Sequence, residues 1–503
     1  MGRTTSTSTP SSSSTRSPIP ERSAVAFTRT RHHGAALVVA AAAVLAGCGS
    51  SSKHEASPPY RHFHSRPDLK PAVLQGTRRV GATAPGYLFL APKKNVAQTG
   101  PLIADDDGEV VWFHPVKPGA ADFRVQRYRG RPVLTWWQGV STKGVGRGKY
   151  EIFDSSYRRI AEVHAGHGLA GDEHEFLITP RGTALVTVYQ KVPQDLSAVG
   201  GPGNGFVLDG IVHEVDVATG RVLFEWHSLG NVALTESYLT KMPKDASTPY
   251  DYFHVNSIEP GPNDTLIVSA RHTHAVYEIS KRTGRIVWRL GGKRSDFRMG
   301  PGTRVAWQHD ARLHPDGTLT IFDDGAAPAV EKHSRAIVLR LDTHRMTARL
   351  VRAYVHPDGL LASSQGNMQV LRNGHVLVGW GSEPYVTEFS RAGKVVFDMR
   401  FNRGADSYRA YRFPWVGHPA DRPALAVKRG KGDDVTAYAS WNGATQVRRW
   451  ALLAGPDDAH LRRIAVALRN GFETAIDAHT KAPRLAVEAL DAGGHVLGTS
   501  PSR

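Results

Sequence analysis

One unit recurs six times between about residue 80 and residue 405, and it narrows the possible folds more than any other feature of the chain. It is a hairpin of two short strands, rich in β-branched and aromatic residues, joined by a charged or Gly-containing turn. Its copies are IADDDGEVVWF (103–113), EIFDSSYRRIAEV (151–163), HEVDVATGRVLFEW (213–226), YEISKRTGRIVWRL (277–290), LRLDTHRMTARLV (339–351) and TEFSRAGKVVFDM (387–399). They lie roughly 45–65 residues apart, a period that belongs to solenoids, propellers and arrays. Four strands per period predict an all-β chain folded as a β-propeller, each copy forming the outer hairpin of one blade. Six hairpins predict a six-bladed β-propeller over residues 81–415. The segment GYLFLAP (86–92) is expected to supply a strand that closes the ring with residues of the last blade.

A second repeat lies between the hairpins and carries the reactive side chains. HEFLITPRGTALVTVYQ (174–190), HVNSIEPGPNDTLIVSARHT (254–273) and HDARLHPDGTLTIFDDG (309–325) each start with a His, run to a Pro-containing turn and return as a second strand. The fourth copy, GNMQVLRNGHVLVGWG (366–381), has Gly366 in that place, so the repeat folds without the His. Equivalent positions of successive blades point the same way about a propeller axis. His174, His254 and His309 are therefore expected to converge at one mouth of the channel. Three in register, with a fourth copy lacking it, read as a site rather than as strand-end packing. Arg271, at the far end of the strand pair that begins with His254, adds a permanent cation with bidentate donors for an oxyanion.

Outside the repeats the chain changes character twice. The first 80 residues hold a net +8 of the total +17, which leaves a mildly basic body suited to anionic ligands and gives no argument for nucleic acid. A basic, Ser/Thr-rich leader precedes GAALVVAAAAVLAG (34–47), shorter than the about 20 apolar residues a membrane-spanning helix needs. Residues 1–47 read as a secretory signal. Leu45-Ala46-Gly47-Cys48 resembles the bacterial lipobox, which implies a lipid on Cys48 and a place on the extracytoplasmic face of the cell membrane. Residues 48–80 then read as a flexible stalk. Cys48 is the only cysteine, which excludes an intramolecular disulfide and a Cys-based metal site. The tail, 420–503, alternates strands and turns with the rhythm of a small Ig/fibronectin-III-like β-sandwich and offers no reactive cluster.

The strings DYFHVNSIEP, SARHTHAVYEISKRTGRIVWRLGG, WQHDARLHPDGTLTIFDDG and SQGNMQVLRNGHVLVGWG are similar to the arylsulfotransferase (arylsulfate sulfotransferase) family, over roughly residues 85–405. The resemblance implies a six-bladed propeller that moves a sulfuryl group from an aryl sulfate donor to a phenolic acceptor. It implies a sulfated histidine, no cofactor, and no use of the nucleotide donor phosphoadenosine phosphosulfate. The family's nucleophile, in a Gln-His element, falls on His309. Its sulfuryl-binding His-x-Asn element falls on His254 and Asn256, its Ser-x-Arg-His element on Arg271, and its remaining His on His174. One departure stands out: better-studied members carry a disulfide that a single cysteine cannot form. The chain is closer to the branch shared by actinobacteria and fungi.

The residues suit that chemistry. Sulfuryl transfer, like phosphoryl transfer, depends on positioning and on cations near the equatorial oxygens, and a neutral imidazole is a competent nucleophile. His174, or a protonated neighbour, is expected to donate to the leaving phenolate and later to take the acceptor's proton. Trp136, Trp137, Tyr189, Trp307 and Trp380 are available for stacking on aromatic rings or for packing. The alternative from another class is a non-catalytic module that holds a sulfated or other anionic ligand in the same pocket. A zinc site from His272 and His274 beside His254 and His309 ranks third, because Arg271 would repel a dication. Residues 105–108 read as a turn rather than a calcium loop, and residues 144–149 lie between strands and form no phosphate loop.

Overall fold

In the computed structural model, which describes residues 59–503 apart from Lys244 and Ala246, the turn-rich alternation of the sequence becomes antiparallel sheet, with two-residue parallel pairings only at Pro249–Tyr250 and Arg298–Met299 among the described residues. The leader, the apolar run and Cys48 lie outside the described residues. Six four-stranded meanders follow one another between residues 87 and 413. Each expected hairpin forms the third and fourth strands of one meander, as in Ala275–Ser280 with Ile286–Gly291. The His-headed repeats form first and second strands, as in Val255–Pro260 with Thr265–Ala270. Thr265–Ala270 is buried along its whole length, which is why it reads as an apolar run without alternation. Residues such as Phe176, Val186 and Ile211 fill one core between sheets, each contributing about 1.5–3 kcal/mol by burial.

The innermost strands touch in cyclic order: Ala120–Tyr128, Gly171–Ile178, Val255–Pro260, His309–Leu313, Asn367–Val370 and Asp406–Phe413, the last returning to the first. The first meander is assembled from both ends of this region. Asp406–Phe413 is its innermost strand and pairs with Tyr87–Lys93, which pairs in turn with Leu102–Ala104. GYLFLAP is thus a second strand, and the closing strand is a C-terminal segment that the sequence does not single out.

The expected stalk is corrected from residue 59 onward. Tyr60 bridges to Ala72, Leu69 and Ala72 are buried, and Leu74–Arg79 pairs with Val395–Phe401 as a fifth strand of the last meander. Apolar residues hidden among the Pro and Ser explain it. Phe63 packs on Phe472 at 4.3 Å and His64 stacks on Tyr438 at 3.9 Å, so this segment grips the tail. The tail itself is two antiparallel sheets of three and four strands around a shared core that includes Trp450, Leu452, Ile476 and Val487.

What positions the site is a bulge repeated in the innermost ladders. Ile321 faces both Asp310 and Ala311, Trp136 faces Asp122 and Phe123, and Ala91 faces Tyr408 and Arg409. Asn256 is the extra residue of its strand, and Thr187 faces the four residues 172–175. An extra residue bends the strand and re-aims side chains toward the axis. Asn367–Val370, the strand that lacks the His, pairs in unbroken register.

Candidate active site

The bulges bring His174, His254 and His309 to one end of the ring of strands, as the repeat predicts. The rings of His174 and His254 meet edge to face at 4.9 Å, and Tyr408 lies between His174 (5.4 Å) and His309 (6.4 Å). Each imidazole has a carboxylate on Nδ1: Asp172 on His174 at 2.5 Å, Asp251 on His254 at 2.5 Å, and Asp324 on His309 at 2.8 Å. Nε2 of each ring therefore lies on the side away from its carboxylate. The surroundings set the three apart. Burial would lower the His174 pKa, but the Asp172 and Glu173 carboxylates outweigh it and raise the value. Burial lowers that of His254 despite Asp251. Burial, reinforced by the Arg271 cation, pushes His309 well below the ordinary range. Neighbouring imidazoles whose pKa values are pushed in opposite directions are suited to opposite proton-transfer roles.

Arg271 follows the strand in a turn rather than ending it. Its guanidinium lies 5.0 Å from the Trp307 ring and donates to His272 Nε2 at 2.9 Å and to the Ser363 carbonyl at 2.9 Å. Its buried Nε has no hydrogen-bond partner among the described residues. His254, His272 and Asp251 stand close enough to surround an ion. Yet His272 bonds the Asp251 carbonyl through Nδ1 at 2.5 Å and accepts from Arg271 through Nε2, and burial drives its pKa to about 3. His274 does not join them. Because residues 271–274 form a turn, strand alternation fails there, and His274 stacks on Tyr238 at 4.0 Å. Asn256 is beside the cluster, but its Nδ2 donates to the Gln308 carbonyl at 2.7 Å, so it holds the backbone that carries His309.

Among the aromatics, Trp307 and Tyr189 reach the site; Tyr189 is 5.8 Å from His254. Trp136 packs on Phe153, Trp137 donates to the Gly171 carbonyl, and Trp380 donates to Thr387. The three Asp partners, Tyr408 and a buried ionic cluster below the histidines were not singled out by the sequence. In that cluster Arg409 bonds Asp122 at 3.0 Å and the Asn256 carbonyl at 2.9 Å, and contacts Glu175 and Asp310 at 3.3 Å. Arg124 and Arg312 complete it on Asp122, Glu175 and Asp310. Beyond it, at the opposite strand ends, a cavity of 340 Å³ is lined by Arg127, Leu177, Leu313 and Phe413, among others, and by none of the three histidines.

A family model described as Arylsulfotransferase (ASST) matches residues 124–402. No curated protein matches the chain. Among solved structures, a protein of unknown function from Bacteroides caccae is similar at 15% identity over 65% of this chain and 100% of its own, with a TM-score of 0.40. Kuenenia stuttgartiensis hydrazine synthase is similar at 13% identity over 66% and 67%, TM-score 0.27. Virginiamycin B lyase from Staphylococcus aureus is similar at 10% identity over 73% and 96%, TM-score 0.31.

Proposed function

Because the chain belongs to the arylsulfotransferase family, we propose that it transfers a sulfuryl group from an aryl sulfate to a phenol through a sulfated His309, without a nucleotide donor. The observation that carries this reading is the convergence around one mouth of His174, His254 and His309, each with a carboxylate on Nδ1, together with Arg271. In the first step the N–S bond forms at His309 Nε2 as the S–O bond to the aryl group breaks, and the His174 imidazolium gives its proton to the departing phenolate. In the second, the acceptor phenol loses its proton to His174 as its oxygen attacks sulfur and the N–S bond breaks. Arg271 and His254 stabilise the charged equatorial oxygens; Asn256 contributes by holding the backbone before His309. The scaffold we read as a six-bladed propeller, supported by the six meanders and the cyclic contacts of their inner strands, with the tail as an Ig-like sandwich.

Donor alone should release a burst of phenol and leave protein heavier by one SO₃, measured near neutral pH because the N–S bond is acid-labile. His309→Ala should abolish both, and Arg271→Ala should slow sulfation about 10²–10³-fold. An adduct on His309→Ala would place the nucleophile elsewhere. Ligand binding with no transfer across several donors would favour the anion-binding module. We also propose that Cys48 carries a lipid that holds the protein outside the cytoplasm; an unchanged membrane fraction for Cys48→Ser would remove that idea.

A further inference from the structure

Two neighbours of His309 together fix which of its nitrogens carries the proton. The backbone N–H of Gln365 donates to Nε2 at 3.2 Å. A donor can approach only an unprotonated ring nitrogen, so the proton of the neutral imidazole is on Nδ1, facing Asp324 Oδ2 at 2.8 Å. Both neighbours are held in place. Gln365 sits at φ 71, a left-handed conformation that residues other than Gly rarely adopt, next to a site that uses it. Asp324 is fully buried, and its backbone carbonyl accepts from Ser334 Oγ at 2.6 Å, which itself accepts from the Ala362 N–H at 2.7 Å.

We propose that Asp324 is the positioning residue that makes His309 a nucleophile, by keeping the Nδ1–H tautomer and by answering the positive charge that grows on the ring. This rests on the sulfotransfer reading above. As the N–S bond forms at Nε2 and the S–O bond breaks, the ring becomes cationic while its Nδ1 proton stays in the bond to Asp324; the phenolate takes its proton from His174, so no other base or acid enters. Asp324 touches neither donor nor acceptor. Its bond to Nδ1–H strengthens only as charge develops, so its contribution falls on the rate of sulfation rather than on binding. Burial pushes His309 well below its ordinary value, which keeps the ring neutral, and the Nε2 lone pair exchanges its bond from the Gln365 N–H for the bond to sulfur.

Asp324→Asn keeps the shape but offers an amide NH₂ that donates to Nδ1 and drives the proton to Nε2. Its burst should slow about 10³–10⁴-fold, the scale of the corresponding change in a serine-protease triad, with little change in the donor KM. Asp324→Glu should recover part of the rate. ¹⁵N NMR of histidine-labelled protein, with His309→Ala to assign the signal, should show an unprotonated Nε2 in the wild type and a protonated one in Asp324→Asn. A wild-type spectrum with the proton on Nε2, or a normal burst in Asp324→Asn, overturns the proposal. Should the variant fail to fold, the wild-type spectrum alone decides. An Nδ1–H spectrum in a protein that never shows a burst would strike the sulfotransfer reading, and Asp324's catalytic part with it, while leaving the tautomer as assigned.

Discussion

At the scale of single residues, chemically identical imidazoles are made different by their neighbours. The His174 pKa is raised because Asp172 outweighs burial, and that of His309 is lowered because burial and Arg271 act together. The sign of the pH dependence follows. In the mechanism proposed above, the burst needs His174 protonated, and its raised pKa extends that form above the ordinary imidazole value of about 6.5; the rate then falls as pH rises through it. It needs His309 neutral, and its lowered pKa puts the acid limb below that value. A stopped-flow profile should therefore hold its alkaline limb above and its acid limb below the ordinary imidazole value, and Asp172→Asn should move only the alkaline limb, to lower pH. An unmoved alkaline limb would deny His174 the acid's role. Part of this was legible from sequence: the three histidines and Arg271 stand in register, and Asp172 and Asp251 lie two and three residues before their partners. Asp324 was not, since it reaches His309 across a hairpin from fifteen residues away.

At the scale of elements, the strands and their hairpins were legible because turn chemistry and apolar runs are local. The bulges were not. An inserted residue leaves no mark on composition, and only the pairing of Asp310 or Asn256 with its neighbour strand reveals it. The turn at residues 271–274 escaped for the same reason, which is why His274 faces Tyr238. Glycine marks another such place. In the hairpin Arg131–Thr142 with Val145–Phe153, a Cβ added at Gly148 would lie 2.2 Å from the Gln138 carbonyl and 2.8 Å from the Trp137 ring. Gly148→Ala should cost about 1–3 kcal/mol in urea unfolding. Gly76→Ala, where a Cβ meets nothing within 4 Å, is the control and should unfold as the wild type does.

At the scale of the whole molecule, charge closes what hydrophobic packing builds. Arg409 has no exposed side-chain surface and answers Asp122, Glu175 and Asp310, which come from three other innermost strands. Buried ions of this kind cost dearly when one partner is removed. Arg409→Ala should destabilise the protein by about 3–5 kcal/mol, and restoring the balance with Asp122→Asn should return part of it; additive losses would show that the cluster is not coupled. Arg409 and Tyr408 arrive on the strand that is last in the ring and first in the meander order, Asp406–Phe413. A growing chain that ends before residue 406 therefore holds all three histidines and Arg271 yet lacks Tyr408 and Arg409, so the surroundings of the imidazoles are assembled only once that last innermost strand has been made.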